Sequence, residues 1–225
     1  MCGRFTLNTT GREIARQFGL DYEIDIAPRY NIAPTQESTV VRVPDMGAGR
    51  EASMLRWGLI PFWADDKKIG NRMINARSET VADKPAYRVA FSRRRCIVPA
   101  SGFYEWKKTG DGKQPYYIHA ADDGLLGFAG LWESWSDDET GESVESFTIL
   151  TGEPNDKCAD VHDRMPVILE PDDYGFWLDP GMKDKEALKD LVLQTYPSDA
   201  LDLHPVSTHV NSPQNDDPTC IEPLD

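Results

Sequence analysis

A chain of 225 residues with 40% hydrophobic and 10% aromatic side chains is long enough to bury a sizeable core, which excludes a disordered segment. Its formal net charge of −14 argues against a generic nucleic-acid binder, whose domains are usually basic. Without a signal peptide or the roughly 20 consecutive apolar residues of a membrane span, the expected setting is cytoplasmic, away from membranes.

The first element in the chain is a helix. Thr10 followed by Glu13 forms a capping box that opens it, and Gly19 stops it after Phe18. Strands are expected over 38–43 and 52–57. Ser78 opens a second capped helix over 78–84, which continues through "YRVAFSRR" beyond Pro85. Strands then follow over 95–100, 102–106, 115–120, 126–133, 146–151 and 165–169. They are short, β-branched or aromatic, and parted by Gly, Pro and Asp. The stretch "KKTGDGKQ" (107–114) predicts a hairpin turn. Helices are expected over 172–178 and over 183–194, where Leu188, Leu191 and Val192 form an apolar stripe. A last strand spans 202–207. No βαβ alternation, repeat or linker interrupts the pattern. The sequence predicts one α+β domain over 1–225, with a strand-rich, barrel-like core of mostly antiparallel sheet and peripheral helices.

Acidic runs such as "SDDETGE" (136–142) and "NDDP" (215–218) read as solvated loops. Basic residues gather elsewhere, at Arg72, Arg77 and "SRRRC" (92–96), which leaves room for a basic groove on an acidic body. Four cysteines (Cys2, Cys96, Cys158, Cys220) and four histidines (His119, His162, His204, His209) form no CxxC pair and no Cys/His zinc spacing. No metal, cofactor or disulfide is expected from them.

Four stretches combine polar groups with unusual chemistry. In "MCGRF", removal of Met1 leaves Cys2 with an α-amine of pKa roughly 7.7–8.0 beside a thiol of about 8.5. Such a pair suits a carbonyl electrophile: the amine condenses to an imine and the thiol closes a five-membered thiazolidine on the same carbon. A merely buried or frayed terminal cysteine is the plainer alternative. In "MINARSET" (73–80), Asn75 could orient a nucleophile and Arg77 meet a phosphate, or both could be turn residues. In "SGFYEW" (101–106), Glu105 shares a strand face with Phe103. Burial there would raise its pKa and suit it to proton transfer, whereas an outward face would make it an ordinary strand glutamate. In "DVHDRMPVIL" (160–169), His162 could shuttle protons and Arg164 bind phosphate, against a structural role for both. "WGLIPFW" (57–63) adds aromatics that stack on bases or pack in the core.

Read in order, these stretches resemble the SOS response-associated peptidase-like (SRAP domain) family, whose members include sensors of abasic sites in DNA. The likeness runs through "MCGRF", "RYNIAP" (29–34), "RWGLIPFW" (56–63), "INARSET" (74–80), "RRCIVPASGFYEWKK" (94–108), "HDRMPVIL" (162–169) and "HPVSTHVN" (204–211), effectively the full length. The resemblance implies a protein that crosslinks covalently to abasic sites in single-stranded DNA or strand junctions, through mature Cys2 as a thiazolidine. Self-cleavage of Met1 and a lyase character go with it, as do a monomeric state and association with the nucleoid when DNA is bound. It implies Cys2 as nucleophile, Asn75 as its positioner, Glu105 as general acid/base and His162 as the group acting on the sugar. Arg4, Trp63, Arg77 and Arg164 would bind phosphate or stack at the lesion, with Asn31 and Pro34 shaping the pocket wall. Two stretches depart from the expected pattern: "LTGEPN" (150–155), and Ala64 where a second Trp is expected. Two other classes compete. One is an N-terminal-nucleophile hydrolase acting on peptides, the other a non-catalytic DNA-binding module. An amine beside a thiol suits an aldehyde better than an amide, which favours the sensor.

Overall fold

The computed structural model describes residues 2–110, 112–137 and 139–224. The chain enters through strand β1 (Phe5–Leu7) and helix α1 (Gly11–Phe18). Thr10 caps α1 in both directions of the capping box, and Gly19 ends it in the left-handed region at φ 67°, where a side chain would be strained. Ile14 and Phe18 bury the inner face of α1. Strands β2 (Arg29–Ile32), β3 (Glu37–Arg42), β4 (Glu51–Trp57) and β5 (Asn75–Arg77) follow, then helix α2 (Arg88–Arg93). The middle of the chain is the run β6 (Arg95–Ala100), β7 (Gly102–Thr109), β8 (Gly112–Ala120), β9 (Leu126–Ser136) and β10 (Ser143–Gly152). Helix α3 (Asp156–Ala159), strands β11 (Met165–Pro166) and β12 (Ile168–Leu169), helices α4 (Tyr174–Leu178) and α5 (Lys185–Val192), and strand β13 (Leu201–Pro205) complete it.

Five strands close into a ring. β4 pairs antiparallel with β3, β3 with β6, β6 with β9 and β9 with β10, and β10 returns to β4 in parallel. Closure removes the open edges on which flat sheets aggregate. A second sheet, in the order β13-β8-β7-β1-β2, packs against this ring. The two meet through aromatics. Phe5 of β1 lies edge-on to Trp57 at 5.1 Å and to Phe128 at 6.3 Å, and Phe103 of β7 lies edge-on to Phe128 at 5.8 Å. Phe5, Trp57, Phe103 and Phe128 are fully buried, so truncating any one of them to Ala costs about 3–5 kcal/mol. This seam holds β1 and its ladder partner β7 against the ring, and with them the first residues of the chain. No helix among the described residues is long and apolar enough to cross a membrane.

The expected strands form, with one split. The segment 165–169 breaks at Val167, because its first half pairs with β10 and its second with β9. Val167 itself bridges both, donating to Leu150 O and accepting from Ala129 N. The helix expected to open at Ser78 is absent: residues 78–87 are turns, and only α2 is helical. Ser78 N donates to Thr151 O at 3.0 Å, prolonging the β5–β10 pairing, so this residue ends a strand instead of capping a helix. The strands β1, β2 and β5 were not among those expected from the sequence. In the 107–114 hairpin, Lys108 faces Lys113 and Thr109 faces Gly112; Asp111 lies outside the described residues.

Candidate active site

Cys2 sits three residues before β1 and is fully buried. Phe5 pairs with Phe103, and Tyr104 N donates to Arg4 O at 3.0 Å, so the first residues run antiparallel beside β7 and bring Cys2 towards Glu105. Asn75 Nδ2 donates to Cys2 O at 2.7 Å and pins the residue from the other sheet. Asn75 is placed by the parallel pairing of β5 with β10, opposite Ile149. Its Oδ1 is buried without a hydrogen-bond partner among the described residues, an acceptor in reserve beside the Cys2 backbone. The Cys2 thiol donates to Arg4 O at 3.7 Å, and burial, reinforced by Glu105, pushes its pKa up.

Glu105 is 3% exposed. Burial raises its carboxyl to about 7, with Asp163 adding to the rise. His162 Nε2 lies 3.8 Å from Glu105 Oε2. On the other side of the ring, Nδ1 lies 3.1 Å from Arg164 N and 2.9 Å from Asp163 Oδ1. The first contact needs a lone pair on Nδ1 and the second needs a proton. Burial lowers the His162 pKa, which favours the neutral ring accepting from Arg164 N–H. The Nε2 proton then points at Glu105, a tautomer assigned from the hydrogen bonds.

These groups face a cleft of about 660 Å3 lined by Gly3, Arg77, Glu105, Trp106, Lys113, His162, Asp163 and Arg164. Arg77 is exposed. Both terminal nitrogens of Arg164 are engaged by the Glu79 carboxylate, and one of them also by Thr151 O. The cleft thus gathers Glu105, His162, Arg77 and Arg164, with Cys2 and Asn75 behind it. Arg4, Pro34 and Trp63 are not among its lining residues. The Arg4 guanidinium is spent inside the protein, on Asn31 Oδ1 at 2.8 Å, Val210 O at 2.8 Å and Asn211 O at 3.2 Å. Asn31 is buried and donates to Val210 O, Ser212 O and Asn215 O. Pro34 is half-buried, and Trp63 is 50% exposed beside Phe62 at 52%. Sequence reasoning missed Trp106, Lys113 and Asp163 in the lining. Trp106 and Asp163 adjoin Glu105 and His162 in sequence, which was the available signal. Lys113 arrives only through the hairpin register.

The chain matches the family described as SOS response associated peptidase (SRAP) over residues 1–213. It is 43% identical to "Abasic site processing protein YoqW" of Bacillus subtilis (strain 168), covering 99% of each chain. It is 31% identical to "Abasic site processing protein YedK" of Escherichia coli (strain K12), covering 100% of each. A crystal structure of a protein from Bacteroides thetaiotaomicron superposes with a TM-score of 0.86 at 27% identity, covering 99% of this chain and 100% of that one. On these grounds the chain belongs to the SOS response associated peptidase family.

Proposed function

We propose that this protein captures abasic sites in single-stranded DNA, or at strand junctions, by a covalent bond through Cys2. The observation that carries the reading is the Asn75–Cys2 hydrogen bond of 2.7 Å. It fixes an N-terminal amine-and-thiol residue next to a buried glutamate and a histidine, beside a cleft flanked by cations. Names borne by the relatives agree, since those relatives are called abasic site processing proteins.

Hydrolysis of the Met1–Cys2 bond by this same group of side chains frees the Cys2 amine; Met1 lies outside the described residues. The ring-opened abasic sugar presents an aldehyde. The amine attacks it, Glu105 donates a proton to the departing hydroxyl, and an imine forms with loss of one water. The thiol then adds to the imine carbon. Its S–C bond forms as its proton passes to the Glu105 carboxylate, the imine nitrogen takes up a proton, and a thiazolidine results. Burial holds the thiol protonated, so the amine acts first and the thiol second. A carboxyl near 7 is suited both to give a proton and to take one back at neutral pH. Ring closure is intramolecular and gains from the effective molarity of a positioned nucleophile. The Nε2 side of His162 acts on the sugar oxygen as the ring opens. An imine also acidifies the neighbouring sugar carbon, which is the route to lyase character. Arg77, Lys113 and Arg164 meet phosphates, Arg164 by exchanging the Glu79 carboxylate for one. Trp63 and Pro34 lie outside the cleft lining; Trp63, half-exposed, stacks on a base beyond it.

The test is a denaturing gel of protein whose mature N-terminus has been verified by intact mass, mixed with single-stranded DNA bearing one abasic site. The expected result is a heat-stable adduct from the wild type and none from Cys2→Ala. Absence of an adduct from fully Met1-free protein would overturn the reading and favour a peptide hydrolase.

A further inference from the structure

We propose that the carboxy-terminal turn holds a second site, for a zinc-class divalent cation, formed by His209, Asp217 and Cys220. Their donor atoms lie within 4.8 Å of one another, and His209 Nε2 is 3.0 Å from Asp217 Oδ2. Zinc bound tetrahedrally by nitrogen, oxygen and sulfur separates its donors by about 3.3–3.5 Å, so small side-chain rotations close the site. Imidazole, carboxylate and thiolate are the three ordinary zinc ligands.

The surroundings already aim these donors. Asp217 Oδ1 is occupied by Thr219 N at 3.0 Å and by the Thr219 hydroxyl, which leaves Oδ2 turned to His209. The Asn215 side-chain amide sits 3.1 Å from His209 Nδ1. Cys220 is buried, its thiol donating to Asn215 O at 3.4 Å. Ligand orientation by such neighbours is typical of metal centres. The side chains of His209 and Asp217 are 37% and 46% exposed, which gives the ion a path in over the buried sulfur. On binding, the thiol proton leaves to solvent and the imidazole proton moves from Nε2 to Nδ1. Asn215 Nδ2, held by His209 O at 2.7 Å, then gives up its contact with Nδ1, whose proton turns to solvent. The dication, one thiolate and one carboxylate sum to zero charge. Water fills the fourth position. The sequence hides this arrangement because the ligands are single residues on consecutive turns, with no paired-cysteine spacing.

The site would fasten the segment that braces the catalytic end of the chain. Val210 O and Asn211 O accept from Arg4, and Asn211 Oδ1 accepts from Trp106 Nε1 at 2.8 Å. Asp216 accepts from the backbone N–H groups of Tyr30 and Asn31. Arg4 is two residues from Cys2, and Trp106 adjoins Glu105.

The test uses the full chain carrying Cys2→Ala, so that the reactive thiol does not compete. Cobalt(II) is titrated in and the thiolate-to-cobalt absorption followed, after which zinc displaces the cobalt. We expect one equivalent bound with a thiolate band, loss of that band in Cys220→Ala, and at least about tenfold weaker binding in His209→Gln. Zinc should raise the Tm of the parent and not of the variants. Because Cys220 is buried, Cys220→Ala is checked for folding by circular dichroism. His209→Gln alters a half-exposed ring and serves as the second test. No thiolate–cobalt band, a band that survives in folded Cys220→Ala, or metal affinity unchanged by His209→Gln would overturn the proposal.

Discussion

Two clefts of similar size open on this molecule, one of about 660 Å3 beside Glu105 and one of about 690 Å3 beside Glu13. Their chemistry is opposite. The first is lined by Arg77, Lys113 and Arg164 against Glu105 and Asp163. The second has Arg16 against Glu13, Asp122 and Asp123, with His119 and His204. On a chain of net charge −14, the cleft by Cys2 is thus the more cationic of the two. The two glutamates differ as sharply. Glu13 is bound by the Thr9 hydroxyl and by the backbone and hydroxyl of Thr10, which hold its carboxyl down to about 2. Its charge is committed to capping a helix. Glu105 is buried and raised to about 7, so both of its protonation states are within reach near neutral pH. Volume therefore says little about which cleft works on a substrate; the local fate of one carboxylate says more.

The largest effect that would break this comparison comes from Glu105→Gln. Loss of a general acid/base lowers the crosslinking rate roughly 10²–10⁴-fold, measured in single-turnover gels, and a Glu13→Gln variant should keep the wild-type rate. The same substitution has a stability signature. A carboxyl raised in the folded state contributes stability that is fully present below its unfolded pKa of about 4.3 and is lost as pH rises through about 7. Glu105→Gln should therefore have a higher Tm than wild type at pH 8, with the difference shrinking towards pH 5. An equal Tm at both pH values would contradict the shifted carboxyl. A smaller effect sharpens the charge contrast. Arg77→Ala and Lys113→Ala should each weaken binding to single-stranded DNA and reduce its logarithmic salt slope by about 0.7, while Arg16→Ala in the other cleft leaves both unchanged. Smallest of all, Thr10→Ala should cost about 1 kcal/mol of stability through the lost cap, read by denaturant unfolding, with crosslinking intact.

The parts of the fold that were readable in the sequence are those decided locally. The capping box of Thr10 and Glu13, the stop at Gly19, the strand Arg95–Ala100 and the hairpin of β7 and β8 all depend on neighbours in the chain. Strands β1, β2 and β5 were not readable, since three or four residues become a strand only when a distant partner supplies the ladder. Ser78 shows the same limit from the other side: it is a helix-capping residue type, yet its hydroxyl caps no N–H among the described residues and its own N–H extends the β5–β10 ladder to Thr151 O. At the site, strand alternation tied Glu105 to the face of Phe103 but left open whether that face was buried; in the fold both faces are, since Tyr104 is buried as well. The convergence of Cys2, Asn75 and His162 on Glu105 was not readable, because it depends on the seam between two sheets and on the parallel pairing of β5 with β10. Arg4 has the residue type of a phosphate ligand, and the fold uses it to bind carbonyls of the C-terminal turn.

The most direct test of the central claim is the intact mass of the adduct between this protein and a single-stranded oligonucleotide with one abasic site, taken without any reductant. The account predicts a mass equal to the DNA plus the chain lacking Met1, less one water, with the crosslinked peptide mapping to Cys2. An adduct that retains Met1, maps to another residue, or survives only after chemical reduction of an imine would contradict it.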